Sequence, residues 1–174
     1  MSTLQTGLKG KVALITGSTS GIGLATAHVL AEQGCHIVLH GLMAQDEGQT
    51  LAAEFATQYQ IKTFFSNADL RDANCIHAFM DSAISALGSI DILVNNAGIQ
   101  HTQDVANFPV EKWNDIIAIN LSSAFHTIQQ VVPAMTEKKW GRIINIASVH
   151  GLVASANKAA YCAAKHGIIG LTKV

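Results

Sequence analysis

Along the chain, short runs of β-branched and other apolar residues alternate with longer stretches whose apolar positions recur at helical spacing. Five short runs stand out: Val12 to Thr16, Cys35 to His40, Lys62 to Ser66, Ile90 to Val94 and Arg142 to Ala147. Bounded by Gly, Asn and Ser clusters, they read as strands. The stretches between them predict helices from Gly21 to about Gln33, from about Met43 to Tyr59, from about Asp72 to Leu87 and from about Val110 to Thr136. A last helix begins near Ser155 and is still running at Val174. In the third helix Ile76, Phe79, Met80, Ala83 and Leu87 form one apolar stripe, as a helix packed on a sheet requires. Strands alternating with helices predict βαβ units, hence an α/β fold with a doubly wound parallel sheet of about five strands in a single domain, 1–174.

Composition narrows the function classes. With 49% hydrophobic residues, 13% charged and a formal net charge of -1, the chain is core-rich rather than disordered. It carries no electrostatic footprint for nucleic acid or an anionic membrane. The three cysteines, Cys35, Cys75 and Cys162, are unclustered, and no His pair has H-x-x-x-H spacing, so neither a disulfide framework nor a metal site is expected. The amino terminus lacks a basic-then-apolar export signal and no run of about 18 apolar residues exists. A reducing, cytoplasmic location is the expectation.

Chemistry gathers just beyond two of the strands. Thr16-Gly17-Ser18-Thr19-Ser20-Gly21-Ile22-Gly23 follows an apolar strand and opens a helix. Its backbone N–H groups and the positive helix end suit a pyrophosphate, with Gly17, Gly21 and Gly23 allowing close approach. From Ser148 to Lys165, beyond the fifth strand, a hydroxyl, an imidazole, two amines and a phenol cluster where ligands bind in open α/β sheets. Tyr161 and Lys165, four residues apart, share a helix face.

The G-x-x-x-G-x-G spacing, Asn95-Asn96-Ala97-Gly98 after the fourth strand and Tyr161-x-x-x-Lys165, in that order, resemble the short-chain dehydrogenase/reductase family over essentially the whole chain. The resemblance implies a Rossmann-type dinucleotide-binding domain. It places Thr16, Gly17, Ser20, Gly21, Ile22 and Gly23 in the cofactor turn, Asp69 and Leu70 near the adenine ring, Asn95 in the sheet core, and Ala97 and Gly98 on the adenosine side. It implies that Tyr161 is the acid/base, that Ser148 holds the substrate oxygen, and that Lys165 lowers the tyrosine pKa from about 10 and binds the nicotinamide ribose. It also implies that Asn120 holds a water in a proton path. Metal: none.

The cofactor expected is NAD. An acid after the second strand would bond the ribose 2′-hydroxyl and an Arg would suit a 2′-phosphate, but His40-Gly41-Leu42 offers neither, and no Lys or Arg lies between Lys11 and Lys62. Within the family, the runs around Gln100, His150 and Lys158 are similar to members acting on short 3-hydroxy acids such as D-3-hydroxybutyrate. That similarity implies that Gln100, His150 and Lys158 grip the substrate carboxylate beside Tyr161, with Lys158 three residues before it on roughly the same helix face. Family members usually reach about 250 residues and assemble as tetramers, so the resemblance also implies C-terminal truncation and a homo-oligomer for a full-length chain. The 174 residues alone are expected to expose an apolar sheet edge, to be weakly stable and to oxidise 3-hydroxybutyrate poorly or not at all. The alternative is a catalytically silent nucleotide-binding or oligomerisation fragment.

Overall fold

The computed structural model describes residues 7–174. The first six residues, which belong to the amino terminus read for an export signal, lie outside them. The elements run β1 (Val12–Ile15), α1 (Gly21–Glu32), β2 (His36–His40), α2 (Gln45–Tyr59), β3 (Thr63–Ser66), α3 (Ala73–Leu87), β4 (Ile92–Asn95), α4 (Val110–Ile117), α5 (Ser123–Glu137), β5 (Arg142–Asn145) and α6 (Ala159–Lys173). All strand pairings are parallel and the sheet order is β3-β2-β1-β4-β5. Parallel neighbours need a crossover, and the intervening helices supply it on both faces.

Alternation along the strands decides which helix each residue meets. Leu14, Val38 and Leu93 share one face with Ile76, Phe79 and Met80 of α3 and Val131 of α5. Ala13, Ile15, Ile37, Leu39, Ile92 and Val94 share the other with Ala27 and Ala31 of α1 and Phe55 of α2. The small alanines let α1 lie close on the sheet, and Phe55 fills the space beside it. This two-sided burial is why the strand sequences are apolar throughout instead of alternating.

The long helical region over 110–136 holds, with a π turn, Ala118–Ser122, set between α4 and α5. One helix expectation is corrected. The last helix starts at Ala159, not near Ser155, because Asn157 is left-handed (φ 62) and Lys158 has φ -123 and ψ 40. Neither conformation continues a right-handed helix. The expected apolar edge is present: among the described residues β5 has no partner strand on its outer side, and Ile144 is 46% exposed.

The connections leaving β1 run to β2 on one side and, through β3, to β4 on the other. A crevice therefore opens beyond the carboxyl ends of β1 and β4, at the switch in strand order.

Candidate active site

The glycine turn occupies that crevice, and its shape follows from contacts that glycine alone permits. Gly17 is left-handed (φ +65), and a Cβ on Gly23 would overlap the Gly17 carbonyl oxygen. Thr16, buried under the turn, accepts from the N–H groups of Asn96 and Ala97 at 3.0 Å each. Asn96 returns its side-chain amide to the carbonyls of Thr16 (2.9 Å) and Gly17 (3.0 Å). The turns after β1 and β4 are thus one hydrogen-bonded unit.

Above them lies a cleft of about 380 Å³, lined by Gly17, Ser20, Gly21, Ile22, Leu70, Ala97 and Gly98, with His40, Gly41 and Asn96 among the rest. Most of the expected cofactor residues are therefore brought together. Thr16 and Gly23 support the turn from beneath rather than lining the cleft. Asp69 is gripped by Arg71, whose guanidinium donates to it at 2.6 Å and whose backbone N–H donates at 2.9 Å. Those hydrogen bonds hold its carboxyl below the usual carboxylate range.

Asn95 sits in a relay of side chains. Its Oδ1 accepts from Thr127 of α5 (2.8 Å), and its Nδ2 donates to Asn145 of β5 (2.8 Å). Asn145 in turn donates to Thr172 of α6 (2.9 Å). The sheet end is thereby tied to the helix that carries the phenol and amine.

A second cleft, about 330 Å³, shares Ile22, Asn96, Gly98 and Ile99 with the first and adds Gln100, Ile146, Ala147, Tyr161 and Lys165. Lys165 is buried, its Nζ donating to the Ile146 carbonyl at 2.6 Å and lying 5.7 Å from the Tyr161 ring centroid. Burial lowers its pKa. The His150 ring meets Tyr161 edge-on at 6.1 Å, and Ser148 Oγ accepts from the His150 backbone N–H at 3.2 Å. The buried Nδ1 of His150 has no hydrogen-bond partner among the described residues.

Lys158 is not on the Tyr161 helix face as expected: it stands at the non-helical position before α6. The Gln103 N–H donates to the Asn157 carbonyl at 2.9 Å, joining the loop after β4 to the approach to α6. Asn120, in the π turn and buried, accepts from the Ile99 N–H (2.9 Å) and donates to the Ile99 carbonyl (2.8 Å). Both ends of its amide hold the loop that carries Gln100; a π turn lets that side chain point at a loop instead of along a regular helix face. Two contributors escaped sequence reasoning, Asn96 and His40. The signal for His40 was a histidine in an otherwise apolar strand end, where a polar group needs a partner.

Among the described residues no group of three or more His, Cys, Asp or Glu side chains is placed to hold a metal ion. Likewise, no described helix is long and apolar enough to cross a membrane.

Comparison with known proteins agrees with the geometry. Residues 11–174 match the short chain dehydrogenase family. The chain is 55% identical over 168 residues to D-beta-hydroxybutyrate dehydrogenase of Cupriavidus necator, covering 96% of this chain and 64% of that protein. It is 54% identical to the protein of the same name from Rhizobium meliloti, covering 94% and 63%. A solved NAD+-bound xylitol dehydrogenase superposes with a TM-score of 0.86 at 33% identity, over 95% of this chain and 64% of that one. The chain thus spans about 64% of the length of these relatives. Taken with the glycine turn, the parallel sheet order and the Tyr161-Lys165 pair, the match establishes that this chain belongs to the short-chain dehydrogenase family.

Proposed function

We propose that the protein of which this is the sequence oxidises D-3-hydroxybutyrate to acetoacetate with NAD. The observation that carries the reading is the shared wall of the two clefts, which sets Tyr161, Lys165 and Gln100 directly beside the glycine turn. The relatives' names support the substrate, and the NAD+-bound neighbour supports the cofactor.

The cradle fits a dinucleotide. Gly17, Ser20 and Gly21 would hold the pyrophosphate at the amino end of α1, Leu70 and Ala97 would flank the adenosine, and among the described residues no Lys or Arg side chain lines the cleft to draw a 2′-phosphate. Bound NAD supplies the acceptor for the hydride leaving the hydroxyl-bearing carbon. Tyr161 accepts the hydroxyl proton and Ser148 orients the oxygen. Lys165 keeps positive charge near the phenol, its own position fixed by the Ile146 carbonyl. Lys158, His150 and Gln100 hold the substrate carboxylate: an ammonium gives charge, and the imidazole and amide give direction. Asn120 positions Gln100 through Ile99. The whole protein is read as a cytoplasmic homo-oligomer, a tetramer, acting in ketone-body metabolism.

Steady-state rates with NAD across D-3-hydroxybutyrate, L-3-hydroxybutyrate and an uncharged methyl ester test the substrate. Lys158→Ala is expected to raise KM for the D acid about tenfold or more, the loss of one charge-assisted contact, with little effect on the ester. Equal turnover of ester and acid would remove the carboxylate clamp from the account.

A further inference from the structure

We propose that His40 is a positioning residue for the nucleotide site, a neutral imidazole that bolts the glycine turn to the loop after β3. The proposal rests on the nucleotide-binding reading above and adds a group that reading does not use. His40 closes β2 and is 2% exposed. Its Nδ1 accepts from the Gly17 N–H at 3.1 Å, and its Nε2 lies 2.9 Å from the Ala68 carbonyl. A carbonyl only accepts, so Nε2 carries the proton; Gly17 N–H only donates, so Nδ1 carries none. Both contacts are met by the neutral Nε2–H tautomer alone.

The two partners belong to two segments that both contribute lining to one cleft. Gly17 begins the pyrophosphate floor, while Ala68 precedes Asp69 and Leu70, and Leu70 lines the adenosine side. Both ring nitrogens are taken by the protein, so the imidazole fixes the cleft's segments rather than the ligand. Ser18 locks the residue's backbone, its Oγ accepting from the His40 N–H at 2.9 Å. Phe79 of α3 covers the ring at 5.3 Å. The charged group acting on it is Asp69, which favours the imidazolium, as does the Ala68 carbonyl; Asp69 is itself paired to Arg71. Burial outweighs them and lowers the His40 pKa.

The sign of the pH effect follows. A folded pKa below the ordinary value of about 6.5 means the bolted form is complete above that value and is lost as pH falls through the lowered one. Protonation at Nδ1 sets two N–H groups against each other and frees the turn.

NADH fluorescence titrations between about pH 5 and pH 8, on the unsubstituted chain, His40→Asn and His40→Leu, test this. Asn can place Oδ1 near the position of Nδ1 but does not titrate. The expected result for His40→Asn, which keeps the Gly17 contact and gives up the one to Ala68, is an affinity at neutral pH between those of the original and His40→Leu, with a flatter acid side. For His40→Leu a loss of about tenfold or more is expected, since the Gly17 N–H is left without an acceptor. An acid-side loss in His40→Asn as steep as in the unsubstituted chain, or full affinity in a folded His40→Leu, overturns the proposal. Long-range proton–nitrogen correlation of the imidazole rings is the second readout and needs no nucleotide. It should find His40 neutral with the proton on Nε2 above the ordinary value of about 6.5; an Nδ1–H tautomer or a charged ring there overturns the proposal. Failure of the unsubstituted chain to bind NADH would instead count against the dehydrogenase reading, with the ring measurement still deciding His40.

Discussion

A missing Cβ does more for this site than any single charged group. Gly23 touches the Gly17 carbonyl so closely that an added methyl must displace it, and Asn96 Nδ2, at 2.5 Å from that methyl, closes the other way out. Overpacking of this kind costs about 1–3 kcal/mol. The turn can relieve it only by moving, which spoils the cradle. Gly23→Ala is therefore expected to weaken NADH binding about tenfold or more, measured by fluorescence titration, while the melting temperature shifts by only a few degrees. Unchanged affinity would mean that the turn does not receive the nucleotide. At this scale the sequence was informative about Gly17, Gly23, Tyr161 and Lys165, because their chemistry is local. It was mute about His40, whose partners Gly17 and Ala68 come from separate segments. It misjudged Lys158, since the left-handed Asn157 that delays α6 leaves no mark in hydrophobic spacing.

Between elements, a cluster at the amino end of the sheet secures the strands from below. Asp91 is buried before β4 and accepts from the Val12 N–H of β1 at 3.0 Å. Lys138, just after α5, reaches it at 3.2 Å and Lys11 at 3.8 Å. Both lysines are partly solvated, so losing the acid does not strand them as buried charges; the larger cost is the orphaned Val12 N–H. Asp91→Ala should lower stability by about 1–3 kcal/mol in urea unfolding, and Asp91→Asn by less, because its amide oxygen still accepts from Val12. An Asn variant as unstable as the Ala variant would shift the weight to the ion pairs. Element boundaries were legible to within a residue or two for most strands and helices, since apolar periodicity marks them. The π turn at 118–122 was not, because apolar spacing does not register the tertiary pairing of Asn120 with Ile99 that accompanies it.

For the whole molecule, the feature that matters most is the uncovered side of the sheet. A groove of about 420 Å³ runs along it, lined by Ile22, Val29, Val94, Ile144 and Ile146 among others. Ile22 is 65% exposed and Val29 58%. An open edge strand beside an apolar groove is a template for association. The 174-residue chain is expected to bind a hydrophobic dye and to scatter light increasingly with concentration. Ile144→Thr should reduce both without altering NADH affinity, as Ile144 lines neither nucleotide cleft. No reduction would mean that association uses another surface.

The central claim is that the polar groups beyond β1, β4 and β5 form one site that binds NAD and moves a proton through Tyr161. Its most direct test is NADH formation from D-3-hydroxybutyrate by the unsubstituted chain beside Tyr161→Phe, with NADH affinity measured on both. The account predicts slow turnover that falls at least about a hundredfold in the variant, the usual worth of a positioned acid/base, while NADH affinity stays within about threefold. Turnover surviving in Tyr161→Phe, or a chain that neither binds nucleotide nor turns over, would contradict it.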